Sequence, residues 1–310
     1  MTGFEHQTVL LEEAIAALIT DPNGCYVDGT FGRGGHSRLL LSRLGPKARV
    51  LGIDKDPQAI AAGLALAGED SRLSMAQGSF AAMGELLGQH GFDAPLSGVL
   101  LDLGVSSPQL DQPERGFSFS KDGPLDMRMN PDEGMSAAAW LAVAEDAEIA
   151  QVLKEYGEER FAKRIARAIV AARASKPITG TLQLAKVVAE AHPAWERGRH
   201  PATKTFQAIR IHINGELDDL ERVLPQLPDL LAIGGRLAVI SFHSLEDRMV
   251  KRFIRKQTRG DEVPSYIPVT VAESRQRLRP LGGAVQPSEA EVAANPRARS
   301  AVLRVAERIA

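Results

Sequence analysis

Short apolar runs alternate with helix-patterned segments through the first hundred residues of the chain. The apolar runs lie about 25 residues apart, at 25–27, 49–53, 72–76 and 97–101. The segments between them repeat apolar residues at helical spacing, at 36–44, 57–67 and 81–90. Because strands that alternate with helices at this spacing build βαβ units, the pattern predicts an α/β fold with a parallel sheet.

This alternation stops after residue 101. The next run typical of a strand, 234–242, comes about 130 residues later. Much of the sequence between them is patterned as helix, at 137–155, 158–175 and 181–191. A basic helix is expected after residue 248, and a closing strand within 300–307. We therefore expect an all-helical insert between the fourth and fifth strands of the sheet.

A glycine-dense turn, DGTFGRGGHS, joins the first predicted strand to the first predicted helix. Its glycines, which permit positive φ angles and a close approach of the backbone to a ligand, are Gly29, Gly32, Gly34 and Gly35. Unpaired amide groups at the helix start, near His36, favour an anionic or carboxylate-bearing cofactor. The turn lacks the Gly-Lys-Ser/Thr of a P-loop, and Ser37 stands where the dinucleotide fingerprint needs its third glycine. A simple tight turn is the alternative.

Candidate ligand contacts follow the other predicted strands, because open parallel sheets bind ligands at the carboxyl ends of their strands. Asp54 can accept both hydroxyl hydrogens of a ribose, and Phe80 can lie against an adenine face. Asp102 ends the fourth run, and His243 follows the fifth. Together with the glycine turn, these residues resemble a class I S-adenosylmethionine methyltransferase. The alternatives are a helix cap at Asp54, a core position for Phe80 and a structural turn after Asp102.

The net charge of −2 conceals an uneven distribution of charge along the chain. Residues 1–150 carry 10 Lys and Arg against 21 Asp and Glu, and residues 216–247 carry 2 against 7. By contrast, residues 151–215 carry 12 against 5, and residues 248–310 carry 13 against 6. Two basic regions beside an acidic body indicate a polyanion that is bound locally, with ordinary solvated helix faces as the alternative.

A basic stripe lies opposite an apolar one in the helix predicted over 158–175. The cations of this stripe are Arg160, Lys163, Arg164 and Arg167. Like charges at this spacing repel one another, and a phosphate backbone relieves that repulsion. Further candidate contacts are Arg199, Lys204 and Arg210, with Phe206 as a surface on which a base can stack. Beside a methyltransferase core, these residues favour RNA or DNA as the substrate.

The composition narrows the compartment and the chemistry. Cys25 is the only cysteine, so no internal disulfide can form and a reducing compartment, the cytoplasm, is expected. No basic stretch precedes an apolar run near the start, and nowhere do about 18 apolar residues stand together, so we expect neither export nor a membrane span. No cluster of cysteine and histidine indicates zinc, and no metal is expected.

Several sequence blocks are long enough to identify a family. They include DGTFGRGGHS, DLGVSSPQLD, YGEERFAKRIARAIV, HPATKTFQAIR and SFHSLEDR. From His6 to Arg308 the chain resembles the RsmH (MraW) family, bacterial 16S rRNA cytosine-N4 methyltransferases. The resemblance implies a class I (Rossmann-like) methyltransferase domain over 1–114 and 212–310. It also implies a helical insert over 115–211, which we expect to recognise RNA.

The resemblance further implies a cofactor, a substrate and a set of site residues. The cofactor is S-adenosylmethionine, and the substrate is a cytidine in the decoding region of 16S rRNA, either naked or within the small ribosomal subunit. The family's cofactor contacts carry over onto Gly34, Gly35, His36, Asp54, Phe80, Asp102 and Gln109. The oligomeric state is left open, a homodimer included.

The proton acceptor is less well defined by the sequence. The exocyclic amine of cytosine is a poor nucleophile because its lone pair is delocalised, and an acceptor against its hydrogens would localise that pair. Many amino-methyltransferases place an Asp/Asn/Ser-Pro-Pro-aromatic loop after the fourth strand, and SSPQ is the nearest equivalent here. The candidates are Asp102, the backbone and side chains of Ser106, Ser107 and Pro108, and His243. Ser107 and His243 are slightly favoured, because a carboxylate that binds the cofactor is less available.

Three other functions compete with this one. A non-catalytic RNA-binding assembly factor would keep the fold without turnover, although the glycine turn and the strand-end acids are both present. A NAD-dependent enzyme would bind nicotinamide and transfer no methyl group. A methyltransferase that acts on another nucleic acid is the third alternative.

Overall fold

The computed structural model describes residues 8–195, 200–259 and 276–310 of the chain. The strands in these ranges are β1 (Cys25–Asp28), β2 (Arg49–Asp54), β3 (Leu73–Gln77), β4 (Leu96–Asp102), β5 (Leu231–Ser241), β6 (Leu278–Pro280) and β7 (Val302–Arg308). The α-helices are α1 (Leu11–Leu18), α2 (Gly35–Arg43), α3 (Pro57–Glu69), α4 (Met83–Gln89), α5 (Ser107–Asp111), α6 (Ala137–Val143), α7 (Asp146–Gly157), α8 (Ala162–Ser175), α9 (Thr181–Ala191), α10 (Ala202–Asn214), α11 (Glu216–Val223), α12 (Leu227–Leu230), α13 (Ser244–Arg259) and α14 (Glu289–Ala294). None of these helices is long and apolar enough to cross a membrane.

The chain folds as two compact units, Met1–Gly104 with Asp218–Ala310, and Val105–Leu217. The first unit is built on a sheet in the order β3-β2-β1-β4-β5-β7-β6. Its strands from β3 to β5 run parallel, whereas β7 is antiparallel to both β5 and β6. The strand order reverses between β1 and β4, as in a doubly wound α/β sheet. The predicted class I, Rossmann-like fold is therefore confirmed.

Helices cover both faces of this sheet. Side chains alternate along a strand, so neighbouring residues of β4 enter different hydrophobic clusters. Val99 and Leu101 join a cluster that includes Val250 and Ile254 of α13. Leu100 joins a second cluster, which includes residues of α1 and α2. Burial on both faces explains why the parallel strands read as continuous apolar runs.

Two details of the sheet differ from the sequence-based expectation. Strand β5 begins at residue 231 instead of 234, because its pairing with β4 continues through an irregularity between Leu96 and Gly98. Gly234, with a φ of +81°, therefore lies within the strand, where a bulge needs a glycine, and not in a turn before it. Strand β6 was not predicted, since three residues are too few to show an alternating pattern.

The second unit is helical in the residues described, with one isolated β-bridge between Pro124 and Gly180. It has a hydrophobic core of its own, to which α7 contributes Leu153 and α8 contributes Ile165 and Ile169. The apolar stripe that predicted a helix over 158–175 is thus the buried face of α8.

This unit is longer than the predicted insert. It spans Val105–Leu217, whereas the sequence predicted 115–211. The earlier start follows from α5, where Leu110 packs against the core of the second unit. The later end follows from α10, where the Asn214 side chain accepts a hydrogen bond from the amide of Met129 at 2.7 Å.

The helix predicted over 137–155 is broken into α6 and α7. Ala144 and Glu145 adopt extended conformations between them, with ψ angles of 137° and 156°. The break frees carbonyl groups at the end of α6, and Arg173 donates hydrogen bonds to the carbonyls of Leu141 and Ala144. Apolar periodicity continues across the break, so it could not be read from the pattern alone.

Gly116→Ala should destabilise the second unit, because no side chain fits at this turn. Gly116 has a φ of +75°, and a Cβ there would lie 2.3 Å from the carbonyl oxygen of Pro124 and 2.5 Å from the amide nitrogen of Asp126. Gly134→Ala is the matched control. Its φ of +70° carries the same backbone strain, but its Cβ would enter open space.

We expect the control substitution to cost about 1 kcal/mol, from backbone strain alone. Gly116→Ala should cost roughly 2 kcal/mol more, because the loop must shift to relieve two backbone contacts. Free energies of unfolding from urea titration test the difference. Equal costs for the two variants would contradict the packing of this turn.

Candidate active site

Four polar side chains end the four central strands of the first unit. Asp28 ends β1, Asp54 ends β2, Asp102 ends β4 and Ser241 ends β5. These strands are neighbours in one parallel sheet, so their last residues lie along the same edge. The sequence predicted Asp54 and Asp102 at this edge but did not assign Asp28 to the site.

The glycine turn is tied to the strands on either side of β1. The amide of Gly29 donates a hydrogen bond to the carbonyl of Leu100 in β4 at 2.9 Å. The amide of Gly32 donates to Oδ2 of Asp54 in β2 at 2.8 Å. The turn therefore has a fixed position above the end of β1.

Gly34 and Gly35 are required by the packing of the turn itself. Gly34 has a φ of +76°, and a Cβ on it would lie 2.6 Å from Cζ of Phe31. A Cβ on Gly35 would lie 1.9 Å from Oγ1 of Thr8. The close approach that the sequence analysis assigned to a ligand is thus, at these two positions, an approach to neighbouring side chains. Helix α2 begins at Gly35, one residue before the predicted start near His36.

Asp54 is held by backbone amides of Gly32, Lys55 and Asp56. Its carboxylate accepts hydrogen bonds from Gly32 at 2.8 Å and from Asp56 at 2.9 Å. Asp56 caps α3 by accepting from the amide of Gln58 at 3.0 Å, so the capping role considered for Asp54 belongs to Asp56. Burial raises the pKa of Asp54. A carboxylate offers about four lone-pair sites, so Asp54 can still accept a ribose hydroxyl.

Phe80 lies beside the start of the glycine turn. It begins a 3-10 turn, Phe80–Ala82, directly after β3. The residue is partly buried against the cluster that contains α13, and its Cβ lies 3.4 Å from the position that a Cβ on Gly29 would take. Phe80 therefore packs against the core, as one of the two sequence-based alternatives expected, and it also lies next to the glycine turn.

Asp102 has one oxygen without a hydrogen bond. Its Oδ1 is inaccessible to solvent and has no hydrogen-bond partner among the described residues, and its Oδ2 lies 3.7 Å from Nδ1 of His36. Its amide donates to Oγ1 of Thr30 at 2.6 Å, which ties the end of β4 to the glycine turn. Burial raises the pKa of Asp102 well above its usual range, and the charges of Asp28 and Glu246 add to the effect. A buried acceptor without a partner is costly, so Oδ1 is suited to receive a hydrogen bond from a ligand.

Asp28 is the most deeply buried of these acids, with 1% of its surface exposed. Its carboxyl group accepts hydrogen bonds from Oγ of Ser37 at 2.6 Å and from the amide of Thr30 at 3.3 Å. Burial raises the pKa of Asp28 to about 6. The pKa of Asp28 is thus higher in the folded protein than in the unfolded chain. The protonated carboxyl group therefore stabilises the folded state at acid pH, and this stabilisation is lost as the pH rises through 6.

His243 is held against the first turn of α13 by Glu246. Glu246 Oε2 accepts hydrogen bonds from the amides of Phe242 and His243, at 2.8 and 3.3 Å. Its Oε1 lies 3.1 Å from Nε2 of His243, and its amide lies 3.5 Å from Nδ1. Both ring nitrogens therefore lie near Glu246, which caps the helix, although Nε2 is buried and makes no hydrogen bond among the described residues. Glu246 was not among the predicted site residues, although its position three residues after His243 is that of the acid in a capping box.

Ser107 and Gln109 belong to the second unit. Ser107 is the first residue of α5 and is partly exposed. Gln109 is 4% exposed, and its Oε1 accepts a hydrogen bond from the amide of Ser106 at 2.9 Å. Gln109 thus closes the start of α5, a role that the sequence analysis did not consider.

Most of the predicted basic stripe lies on the exposed face of α8. The stripe residues within this helix are Lys163, Arg164 and Arg167, and all three are exposed. Arg160 is also exposed but precedes the helix, with its guanidinium 5.5 Å from the ring centroid of Phe161. The four cations make no ion pair within the described residues.

The other predicted RNA contacts differ in their surroundings. Lys204 is partly buried on α10. Arg210 donates to both carboxylate oxygens of Glu216, at 2.8 and 2.9 Å, so its charge is neutralised within the unit and it is a poor phosphate ligand. Phe206 is 4% exposed and packs in the core, and the prediction that it stacks on a base is wrong. Arg199 lies outside the described residues.

Comparison with known structures gives distant likenesses. A proposed rRNA methylase from Clostridium thermocellum is 12% identical, with 99% of both chains covered and a TM-score of 0.45. An rRNA methylase from Streptococcus thermophilus is 11% identical, with 96% of this chain and 92% of that chain covered and a TM-score of 0.42. A proposed methyltransferase from Streptococcus mutans, in complex with SAH, is 12% identical over 96% and 93%, with a TM-score of 0.41. At these values the likenesses do not bear on function.

Comparison with protein families gives a far stronger result. The profile of the MraW methylase family matches residues 3–309, nearly the whole chain. The cofactor is S-adenosylmethionine, and the strand ends fit it, because the acid at the end of β2 is tied to the glycine turn and can accept a ribose hydroxyl. The chain belongs to the MraW methylase family and is an S-adenosylmethionine-dependent methyltransferase.

Proposed function

We propose that this methyltransferase transfers a methyl group to the exocyclic N4 amine of a cytidine in the decoding region of 16S rRNA. The observation that carries the proposal is Asp102, an acid at the end of β4 whose buried Oδ1 has no partner among the described residues. Methylation of an amine needs an acceptor of this kind beside the methyl donor. The choice of cytidine and of 16S rRNA rests on the family resemblance from His6 to Arg308.

The residues that would hold the cofactor lie on the glycine turn, at the strand ends and on α5. We assign these contacts to Gly34, Gly35, His36, Asp54, Phe80 and Gln109. When bound, S-adenosylmethionine supplies a methyl group on a positively charged sulfonium. The start of α2 would favour its carboxylate, Asp54 would accept a ribose hydroxyl and Phe80 would pack against its adenine.

We assign the proton acceptor to Asp102. Asp102 is the last residue of β4 and precedes the SSPQ segment by four residues. Its raised pKa suits a general base, because a carboxylate of higher pKa takes a proton more readily. We prefer Asp102 to His243 because both ring nitrogens of the histidine lie near Glu246. This reverses the slight preference that the sequence gave to Ser107 and His243.

The target base must be unpaired or turned out of its helix to reach an acceptor at a strand end. We propose that the exposed cations of the second unit hold the surrounding RNA. They are Arg160, Lys163, Arg164 and Arg167, together with the partly buried Lys204. We place the reaction in the cytoplasm. A non-catalytic assembly factor would not need a carboxylate oxygen that is buried without a hydrogen bond beside a glycine turn.

Incubation with methyl-labelled S-adenosylmethionine tests the proposed function. We expect label in N4-methylcytidine after 16S rRNA or small ribosomal subunits are digested to nucleosides. Naked rRNA and assembled subunits are compared in parallel to identify the true substrate. Label in another nucleoside would contradict the assignment of the amine, and cofactor binding without any transfer would favour the assembly factor.

Asp102→Asn should lower turnover by about 10²–10⁴-fold while cofactor binding is largely retained, because the amide cannot take a proton. The unsubstituted enzyme should gain turnover as the pH rises, since the ionised carboxylate is the active form. Burial raises the pKa of Asp102, so this gain should lie above the range in which an ordinary aspartate titrates. Asp102→Asn should lose the pH dependence.

The comparison variant for this test is His243→Ala, which should keep most of its turnover. Stopped turnover in His243→Ala, together with normal turnover and an unchanged pH profile in Asp102→Asn, would move the acceptor role to His243.

Replacement of the three exposed α8 cations, Lys163, Arg164 and Arg167, with Gln should weaken RNA binding without affecting the cofactor. Each lost phosphate contact lowers the slope of log affinity against log salt by about 0.7–0.9, so the slope should fall by roughly 2 to 3. The control replaces three exposed lysines of the same unit, Lys154, Lys176 and Lys186, with Gln. Equal slopes in the two triple variants would show that α8 carries ordinary solvated charge.

A further inference from the structure

The first unit contains a basic groove that the methyl-transfer site does not use. The groove has a volume of about 270 Å³ and lies between the second half of α13 and the segment from β6 to β7. The helix contributes three cations, which we call the groove cations, namely Lys251, Arg255 and Arg259. The opposite side includes Gly282, Gly283 and Arg304.

The groove cations are exposed because the other face of α13 is core. Val250 and Ile254 are 0% and 7% exposed and pack in the cluster beneath the sheet. Cations spaced four residues apart fall on one side of a helix, about 6 Å apart along its axis. From residue 248 to residue 259 the helix carries six Lys and Arg and no Asp or Glu. The sequence therefore concentrates one sign of charge along one side of α13.

In the part of the chain that the structure describes, no acid balances the charges of the groove cations. The last acid of α13, Asp247, is engaged by Arg304, at 2.6 Å for Nε to Oδ1 and 3.1 Å for Nη2 to Oδ2. Within the described residues the groove cations make no ion pair or hydrogen bond. A helix C-terminus stabilises cations in its last turn, which accounts for Arg259 but not for Lys251.

The wall opposite the cations is open. Gly282 has a φ of +73°, and a Cβ on Gly282 or Gly283 would have no heavy atom within 4 Å. At these two glycines the wall has no side chain, which allows a ligand backbone to approach the protein backbone closely. The groove thus has, within the described residues, a row of unpaired cations on one side and an open stretch of glycine backbone beside Arg304 on the other.

We propose that this groove binds phosphate groups of the substrate RNA that flank the target cytidine. The proposal rests on the proposed function. Helix α13 begins at the strand-end site, where Glu246 holds His243, and a rise of 1.5 Å per residue places the groove cations roughly 10 to 22 Å further along. Nucleotides beside the target, and not the target itself, therefore meet the groove.

A nucleic acid fits this groove better than a membrane does. A helix that lies in a membrane surface exposes an apolar face to the lipid, whereas the apolar face of α13 is buried in the core. Evenly spaced cations match a repeating polyanion, and phosphate contacts do not depend on base sequence.

Two double variants of α13 test the proposal, and they change charge equally. The groove variant is Lys251→Gln with Arg255→Gln. The outer variant is Arg252→Gln with Lys256→Gln, and these two residues are exposed on the same helix but do not line the groove. The probe is a 16S rRNA fragment that contains the decoding region, titrated at several salt concentrations.

We expect the groove variant to lower the salt slope by about 1.5, which corresponds to two lost phosphate contacts, and the outer variant to lower it by less than half as much. S-adenosylmethionine affinity and the melting temperature should stay unchanged in both variants. Lys251→Arg with Arg255→Lys, which keeps the charge, should restore the slope.

Equal slopes in the two double variants would overturn the proposal, as would wild-type RNA binding in the groove variant. Loss of binding to poly-glutamate with RNA binding intact would also overturn it, because the partner would then be an acidic protein. Methyl transfer by the unsubstituted enzyme is measured separately. If rRNA is methylated while the slopes agree, only the groove assignment fails. If no N4-methylcytidine forms while the groove variant loses RNA, only the proposed reaction fails.

Discussion

The hydrogen bond from the Gly32 amide to the Asp54 carboxylate, at 2.8 Å, is the contact on which the site depends. It joins the turn after β1 to the end of β2 and so fixes the turn between two strands. The same turn places Thr30 against the end of β4, where its hydroxyl accepts the amide of Asp102. The two acids at the site therefore hold fixed positions because the turn binds both strand ends. Without this fixed turn, neither carboxylate would have a defined position from which to bind the cofactor or the substrate.

Several buried carboxyl groups at one sheet edge are unfavourable unless a ligand compensates them. Burial raises the pKa of Asp28, Asp54 and Asp102, and the charges of Asp28 and Glu246 act on Asp102 as well. A sulfonium cofactor brings a positive charge to such an edge and favours the ionised forms. The buried carboxyl groups therefore lower the stability of the protein without its cofactor near neutral pH, and the same groups favour the binding of a cationic methyl donor.

Much of this architecture was readable in the sequence because it depends on local pattern. Apolar runs marked the parallel strands, and the acids that follow them were predicted at the sheet edge. Contacts between residues distant in sequence were not readable. Arg210 was predicted to bind RNA, but its ion pair with Glu216 makes it a poor phosphate ligand. Leu110 packs against the core of the second unit, so this unit begins earlier than predicted. Gly35 was predicted as part of the glycine turn. The reason why a glycine is needed there, the closeness of the Thr8 side chain, could be seen only in the structure.

The place of the second unit in the chain has a consequence for folding. Strands β4 and β5 pair along most of their length, yet 128 residues separate Asp102 from Leu231. Closing a loop of that length costs more conformational entropy than closing a short one, so this pairing is intrinsically slow. The second unit has its own hydrophobic core, and once it is compact the chain between the strands no longer behaves as a long flexible loop. The inserted helices therefore shorten the effective distance along the chain over which the central sheet must be completed.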